Sequence, residues 1–287
     1  MADHIEITTE LTASMAPSRF EEGHKGTFGT ALICAGSDYM SGALDISAGA
    51  ALRSGCGMVI AYSTDKALDA VRVNHPCAIL SRREDKISPA LRQAGSLLKR
   101  STAVLIGPGL ETDDPVSKAL LGFFIEKADS LVIDASALAM LAKEKEVFYP
   151  MLQERSTPAV LTPHIGEFKR LAASEEDLED LSVQFALQNK CITVLKNHKT
   201  IIADTEGKTY INNSVNSGLA KGGSGDFLAG LMTGLLSQGI SPLKAACCAV
   251  KIHSLAGMTA AEECGKRAML PTDLEMYLPE AFDEAGW

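Results

Sequence analysis

At 287 residues the chain has room for one large domain or two small ones, with a sizeable core. Apolar residues at 46% and charged residues at 22% are ordinary globular values. A net charge of −9, from 27 basic and 36 acidic residues, argues against a nucleic-acid or anionic-membrane partner.

In chain order, a mixed N-terminal segment gives way to strand-length apolar runs. They lie at Ala31–Ala35, Met58–Tyr62, Cys77–Leu80, Ala103–Ile106, Leu131–Ile133, Ala159–Leu161 and Ile192–Leu195. Helical patterns separate most of them, the clearest at Gly42–Arg53, Val116–Lys127 and Leu178–Gln188. Continuous apolar strands alternating with helices predict a largely parallel sheet with helices on both faces. The segment Thr200–Asn212 predicts a hairpin around Thr205-Glu206-Gly207, and long helices follow from Asp226 and Pro242. The acidic run from Glu175 to Asp180 predicts a solvated helix face. No repeat or linker interrupts the pattern, so one α/β domain over 1–287 is expected. No signal-peptide pattern opens the chain and no apolar run approaches the ~20 residues that span a bilayer, so a soluble, cytoplasmic protein is expected.

Seven cysteines stand singly or as the pair Cys247-Cys248, with no CxxC and no ligand-like spacing to histidine. Neither a disulfide framework nor a zinc site is expected, and Cys34, Cys191 and Cys247 read as small core residues.

Open parallel sheets bind ligands at the carboxyl ends of their strands. Here those ends carry Gly36-Ser37, Gly107-Pro108-Gly109, Asp134-Ala135-Ser136, Thr162-Pro163-His164 and Lys196-Asn197. Each alone is ordinary turn chemistry; their arrival at one rim is harder to explain that way. Farther on, Gly222-Gly223-Ser224-Gly225-Asp226 leads into an apolar helical pattern. A glycine turn at a helix N-terminus presents free amides and the positive end of the helix dipole, an anion site. The competing expectation is a tight turn ending in an Asp226 N-cap. The dinucleotide fingerprint with three spaced glycines is absent, as are the Walker A pattern and protein-kinase loops. What remains suits phosphoryl chemistry, with amides holding the phosphate and Asp226 taking a proton from an acceptor hydroxyl.

Taken together, "KGTFGTALICAGS" (25–37), "SGALDISAGAALRSGCGMV" (41–59), "IGPGLETDD" (106–114), "LTPHIGEFKRL" (161–171), "VLKNHKTII" (194–202) and "NSGLAKGGSGDFLAGL" (216–231) resemble the NAD(P)H-hydrate dehydratase family of the ribokinase-like superfamily. The GGSGD turn alone indicates only the superfamily; LTPHIGEF with KGTFG is far more specific. The resemblance implies a ribokinase-like α/β fold and repair of the S-form of NADH and NADPH hydrated at C6. It implies ADP or ATP as co-substrate and Mg2+ as cofactor, with ADP expected for a plain single-domain chain. It makes Asp226 the base and a substrate contact. It assigns nucleotide binding to Lys196, Asn197, His198, Lys199, Thr200, Gly222, Gly223, Ser224 and Gly225. It places the hydrated dinucleotide at Ala43, Gly107, Gly109, His164 and Glu167, and leaves the metal ligands unassigned. A homo-oligomer, a tetramer in many relatives, and functional pairing with an epimerase outside this chain are also implied.

Blander expectations stand beside these. His164 would simply begin a helix, Lys196 would be a solvated lysine, and Asp134 would be an N-cap without an assigned role. His253, in an apolar helix, would be packed, and His75 would be a loop residue. The chain carries Ser136 where the family usually has a second acid, which removes one possible contact to magnesium or substrate. Two rival functions are a ribokinase-like kinase of a vitamin precursor (a hydroxymethylpyrimidine or hydroxyethylthiazole) and a non-catalytic nucleotide-binding module. The second has no need of an aspartate beside the anion turn.

Overall fold

A computed structural model describes residues 4–174 and 178–287. Its strands are β1 (His4–Glu6), β2 (Thr30–Cys34), β3 (Met58–Ser63), β4 (Ile79–Arg82), β5 (Ala103–Ile106), β6 (Leu131–Ile133), β7 (Val160–Leu161), β8 (Ile192–Leu195), β9 (Thr200–Ala203) and β10 (Thr209–Asn212). They form a ten-stranded sheet in the order β1-β10-β9-β8-β7-β6-β5-β2-β3-β4. From β8 to β4 every pairing is parallel, while β9 runs antiparallel to both β8 and β10.

Apolar runs without polar alternation can be satisfied only if both sheet faces are covered. The alternation along β2 shows how: Ala31 and Ile33 enter one core, Leu32 and Cys34 the other. On the first face lie α1 (Thr9–Met15), α2 (Ser41–Leu52) and α3 (Asp65–Asn74). The opposite face is covered by α4 (Ile87–Leu98), α5 (Pro115–Lys127), α6 (Ser136–Lys143), α7 (Lys145–Gln153), α8 (Ile165–Ala172) and α9 (Leu178–Asn189). The chain then returns to the first face with α10 (Ser224–Ser237), α11 (Pro242–Glu263) and α12 (Leu274–Glu284). Cys34, Cys191 and Cys247 are buried. Among the described residues no helix is long and apolar enough to cross a membrane.

Some details differ from the sequence expectation. β1 has no apolar run and exists because it pairs parallel with β10. β4 lies two residues later than its apolar run. The hairpin forms with a longer turn than expected, held by Asp204 Oδ1, which accepts from the amides of Glu206 (2.8 Å) and Lys208 (2.9 Å). Of the acidic run, 175–177 lie outside the described residues, and Glu179 and Asp180 sit in the first turn of α9. α10 begins at Ser224, and its N-cap is Gly223 at φ +97°, with no side-chain cap. Asp226 is therefore inside the first turn, and the N-cap alternative for it fails.

Candidate active site

The C-terminal ends of β6, β7 and β8 place Asp134, His164 and Lys196 side by side. The ladder persists one step past β7 and β8 as a parallel bridge between His164 and Lys196, with Lys196 N donating to Pro163 O at 2.8 Å. Lys196 Nζ then donates to Asp134 Oδ1 at 2.8 Å, and Asp134 is only 1% exposed. A buried carboxylate is tolerable here because the ammonium compensates it.

The backbone around Asp134 is itself constrained. Ala135 has φ +48° and ψ −118°, an unfavourable region for a residue with a Cβ. Gly107, at φ +134°, lies directly beneath: a Cβ there would come within 1.8 Å of Asp134 O. Gly107 thus serves to seat the Asp134 turn.

The glycine turn faces this pair. A Cβ placed on Gly225 would lie 3.0 Å from Lys196 Nζ and 3.9 Å from Asp134 Oδ2. The half-buried carboxylate of Asp226 follows, accepting no hydrogen bond among the described residues. Burial pushes its pKa up to about 6; the negative charges of Asp134 and Glu167 add to the rise and Lys196 opposes it. Such a carboxylate is ionised at neutral pH yet more basic than an ordinary aspartate, as a general base requires.

His164 begins a helix, as the blander expectation has it. It caps α8 in a capping box: Nδ1 accepts from Gly166 N (3.0 Å), and Glu167 Oε2 accepts from His164 N (2.9 Å). The ring also lines a cleft of about 740 Å³ together with Glu167, Asp134, Lys196 and Asp226. Asn197, His198, Thr200 and the turn Gly222–Gly225 line the same cleft; Lys199 is not among its lining residues.

Ala43, Gly107 and Gly109 gather outside this cleft, where the strand order reverses between β2 and β5. Gly36 N donates to Pro108 O (2.7 Å) and Gly107 N to Cys34 O (3.1 Å), closing the two strand-end loops together. A Cβ on Gly109 would be 2.7 Å from that of Ala43, so the two positions touch. Ser47 Oγ lies 2.8 Å from Ala43 O and 3.1 Å from Asp226 O, tying this reversal point to the first turn of α10.

Residues 214–221 build a further wall of the cleft, although the 216–231 motif implied no role for any residue before Gly222. There Asn216 Nδ2 donates to Gly257 O (2.6 Å), and Lys221 Nζ donates to Arg267 O (2.8 Å) and Met269 O (2.5 Å). A lysine beside a glycine turn reads as a phosphate ligand, yet this one is occupied by backbone carbonyls. Leu219, Leu228 and Val250 add an apolar side, and the largely buried His253 also lines the cleft.

Comparison with known proteins gives the family. The family model described as NAD(P)H-hydrate dehydratase matches residues 31–280, which spans every wall of the cleft. The chain belongs to the NAD(P)H-hydrate dehydratase family. It is 32% identical to the ADP-dependent (S)-NAD(P)H-hydrate dehydratase of Bacillus subtilis, covering 96% of each chain. The crystal structure of the ADP/ATP-dependent NAD(P)H-hydrate dehydratase from Bacillus subtilis, co-crystallized with ATP/Mg2+, superposes with a TM-score of 0.85 at 29% identity, covering 99% of this chain and 100% of that one. The bifunctional NAD(P)H-hydrate repair enzyme Nnr of Moorella thermoacetica is 34% identical over 95% of this chain. The chain spans about half the length of the bifunctional relatives it matches, 53% in that case.

Proposed function

We propose that the chain is a nucleotide-dependent dehydratase that returns the S-form of hydrated NADH and NADPH to NADH and NADPH. The observation that carries this is the unpaired, basic carboxylate of Asp226 in the first turn of α10, beside the Lys196–Asp134 pair. Asp226 accepts the proton of the C6 hydroxyl while that oxygen attacks the terminal phosphorus of ADP or ATP. The bond from phosphorus to the bridging oxygen breaks, and the shortened nucleotide leaves. The amides of Gly222–Gly225 and the ammonium of Lys196 stabilise the transferring group. The lone pair of the ring nitrogen then expels phosphate from C6, and loss of a proton from C5 restores the dihydropyridine.

Nucleotide binding is assigned to Lys196–Thr200 and the glycine turn. The dinucleotide is assigned to His164 and Glu167, extending toward Ala43, Gly107 and Gly109 at the strand reversal, where open α/β sheets hold ligands. The contact between Ser47 and both Ala43 O and Asp226 O supports one continuous site. Among the described residues no three acidic, histidine or cysteine side chains converge as a metal cage. Asp134 and Glu167 nevertheless share the cleft wall, which suits Mg2+ held mainly by nucleotide phosphates with one or two carboxylates. When bound, Mg2+ would supply charge neutralisation on the phosphates.

We further propose that 1–287 acts as one catalytic unit, since the described helices pack on a single sheet. A cytoplasmic homo-oligomer with ADP as donor, working with a separate epimerase, completes the proposal. Its test is incubation with NADPH hydrate, Mg2+ and ADP or ATP. Recovered NADPH with released phosphate is expected; a stable phosphorylated product would make the protein a kinase instead.

A further inference from the structure

His253 lies on α11, is 8% exposed, and takes no part in the chemistry above. Its Nε2 is 3.3 Å from Ser224 Oγ, and its ring stands 6.0 Å from that of Phe227. Ser224 is the first residue of α10, buried, and in line with the glycine turn. The hydroxyl of a residue at that position is not needed as a cap, because Gly223 holds the N-cap place. Burial and the nearby Lys196 charge keep the imidazole neutral, so it adds no second cation to the anion site.

We infer that His253 is a positioning residue for phosphoryl transfer: its buried imidazole fixes the Ser224 hydroxyl, and through it the amide-lined mouth of α10. With Nε2–H donating to Ser224 Oγ, the serine proton is left to face a phosphoryl oxygen. His253 also borders the cleft, but its hydrogen bond is to the serine hydroxyl; removing the imidazole frees that hydroxyl to rotate and lets the first turn of α10 shift. The inference rests on the proposed phosphoryl chemistry at this turn.

A double-mutant cycle tests it on the full chain. Parent, His253→Phe, Ser224→Ala and the double variant are compared for ADP and ATP affinity by calorimetry with Mg2+, and for hydrate repair. His253→Gln serves as the conservative rescue. Each single variant should lose about tenfold in nucleotide affinity and in kcat, the scale of one hydrogen bond, while the KM for hydrate stays within about threefold. The double variant should be no worse than the weaker single, and His253→Gln should recover most of the loss at an unchanged melting temperature. Multiplying losses, an unimpaired His253→Phe, or a glutamine no better than phenylalanine would overturn the inference. A parent that binds nucleotide but repairs no hydrate refutes the dehydratase proposal alone, and the calorimetric cycle then decides the role of His253 independently.

Discussion

In the proposed reaction, Asp226 and Lys196 are the single side chains on which the chemistry turns. Asn is nearly isosteric with Asp but cannot take a proton, so Asp226→Asn should keep nucleotide affinity and lose roughly 10²–10⁴-fold in turnover. The raised pKa of about 6 against the ordinary 3.8 adds two further outcomes. As the proposed base, Asp226 works only when ionised, so kcat/KM should fall about tenfold per unit as pH drops below about 6 and level off above it. A raised folded-state pKa contributes stability below 3.8 that is lost as pH rises through about 6. Ionised Asp226 is therefore a cost at neutral pH, and Asp226→Asn should melt a few degrees higher there, with the gain vanishing in acid. Lys196 was expected to be a strand-end lysine dispensable for folding; its pairing with a buried Asp134 changes that. Lys196→Met should weaken nucleotide binding and also destabilise the fold by a few kcal/mol, because it strands a buried charge. Adding Asp134→Asn should restore the melting temperature but not the affinity. A Lys196→Met variant as stable as the parent would mean the pair is not buried in solution.

Among the helices, α10 contributes most to the cleft, through Ser224, Gly225, Asp226 and Leu228. Its apolar periodicity and its glycine turn were both legible in the sequence, because period and backbone freedom are local properties. Its start was not: a helix opening on Gly223 at positive φ, with an aspartate three residues on, looks from sequence like an aspartate cap. Gly225 leaves room beside Lys196 Nζ and is not at positive φ. Gly225→Val should abolish nucleotide turnover by pushing into Lys196 Nζ, 3.0 Å from even the first carbon added. Further along, a Cβ on Gly230 would come within 2.2 Å of Ser47 O, where α10 crosses α2. Gly230→Ala should therefore cost about 1–3 kcal/mol by overpacking, read from chemical denaturation. It should also lower kcat, because Ser47 Oγ contacts Asp226 O. An unchanged denaturation midpoint would mean the crossing is looser than described. The wall at 214–221 was illegible for the opposite reason: Asn216 and Lys221 acquire their roles from carbonyls on α11 and the segment after it, far away in sequence.

Across the whole molecule, the alternation of apolar runs and helices foretold a mostly parallel sheet, but not its order. Only the order puts β6, β7 and β8 together, so that Asp134, His164 and Lys196 meet, and sets the β2–β5 reversal beside them. Most residues expected to hold nucleotide thus share one cleft with His164, Glu167 and Asp226, beside the reversal that carries Ala43, Gly107 and Gly109. A site built this way should repair hydrate at the expense of nucleotide, which is read by mixing the protein with NADPH hydrate, Mg2+ and ADP or ATP. Parent and Asp226→Asn are followed side by side for return of the dihydronicotinamide absorbance and release of phosphate. Parent should restore NADPH with one phosphate released per molecule repaired, while Asp226→Asn should bind nucleotide and stay roughly 10²–10⁴-fold slower. Repair by Asp226→Asn within a few-fold of the parent, or nucleotide binding without any repair by the parent, would contradict the proposed reaction.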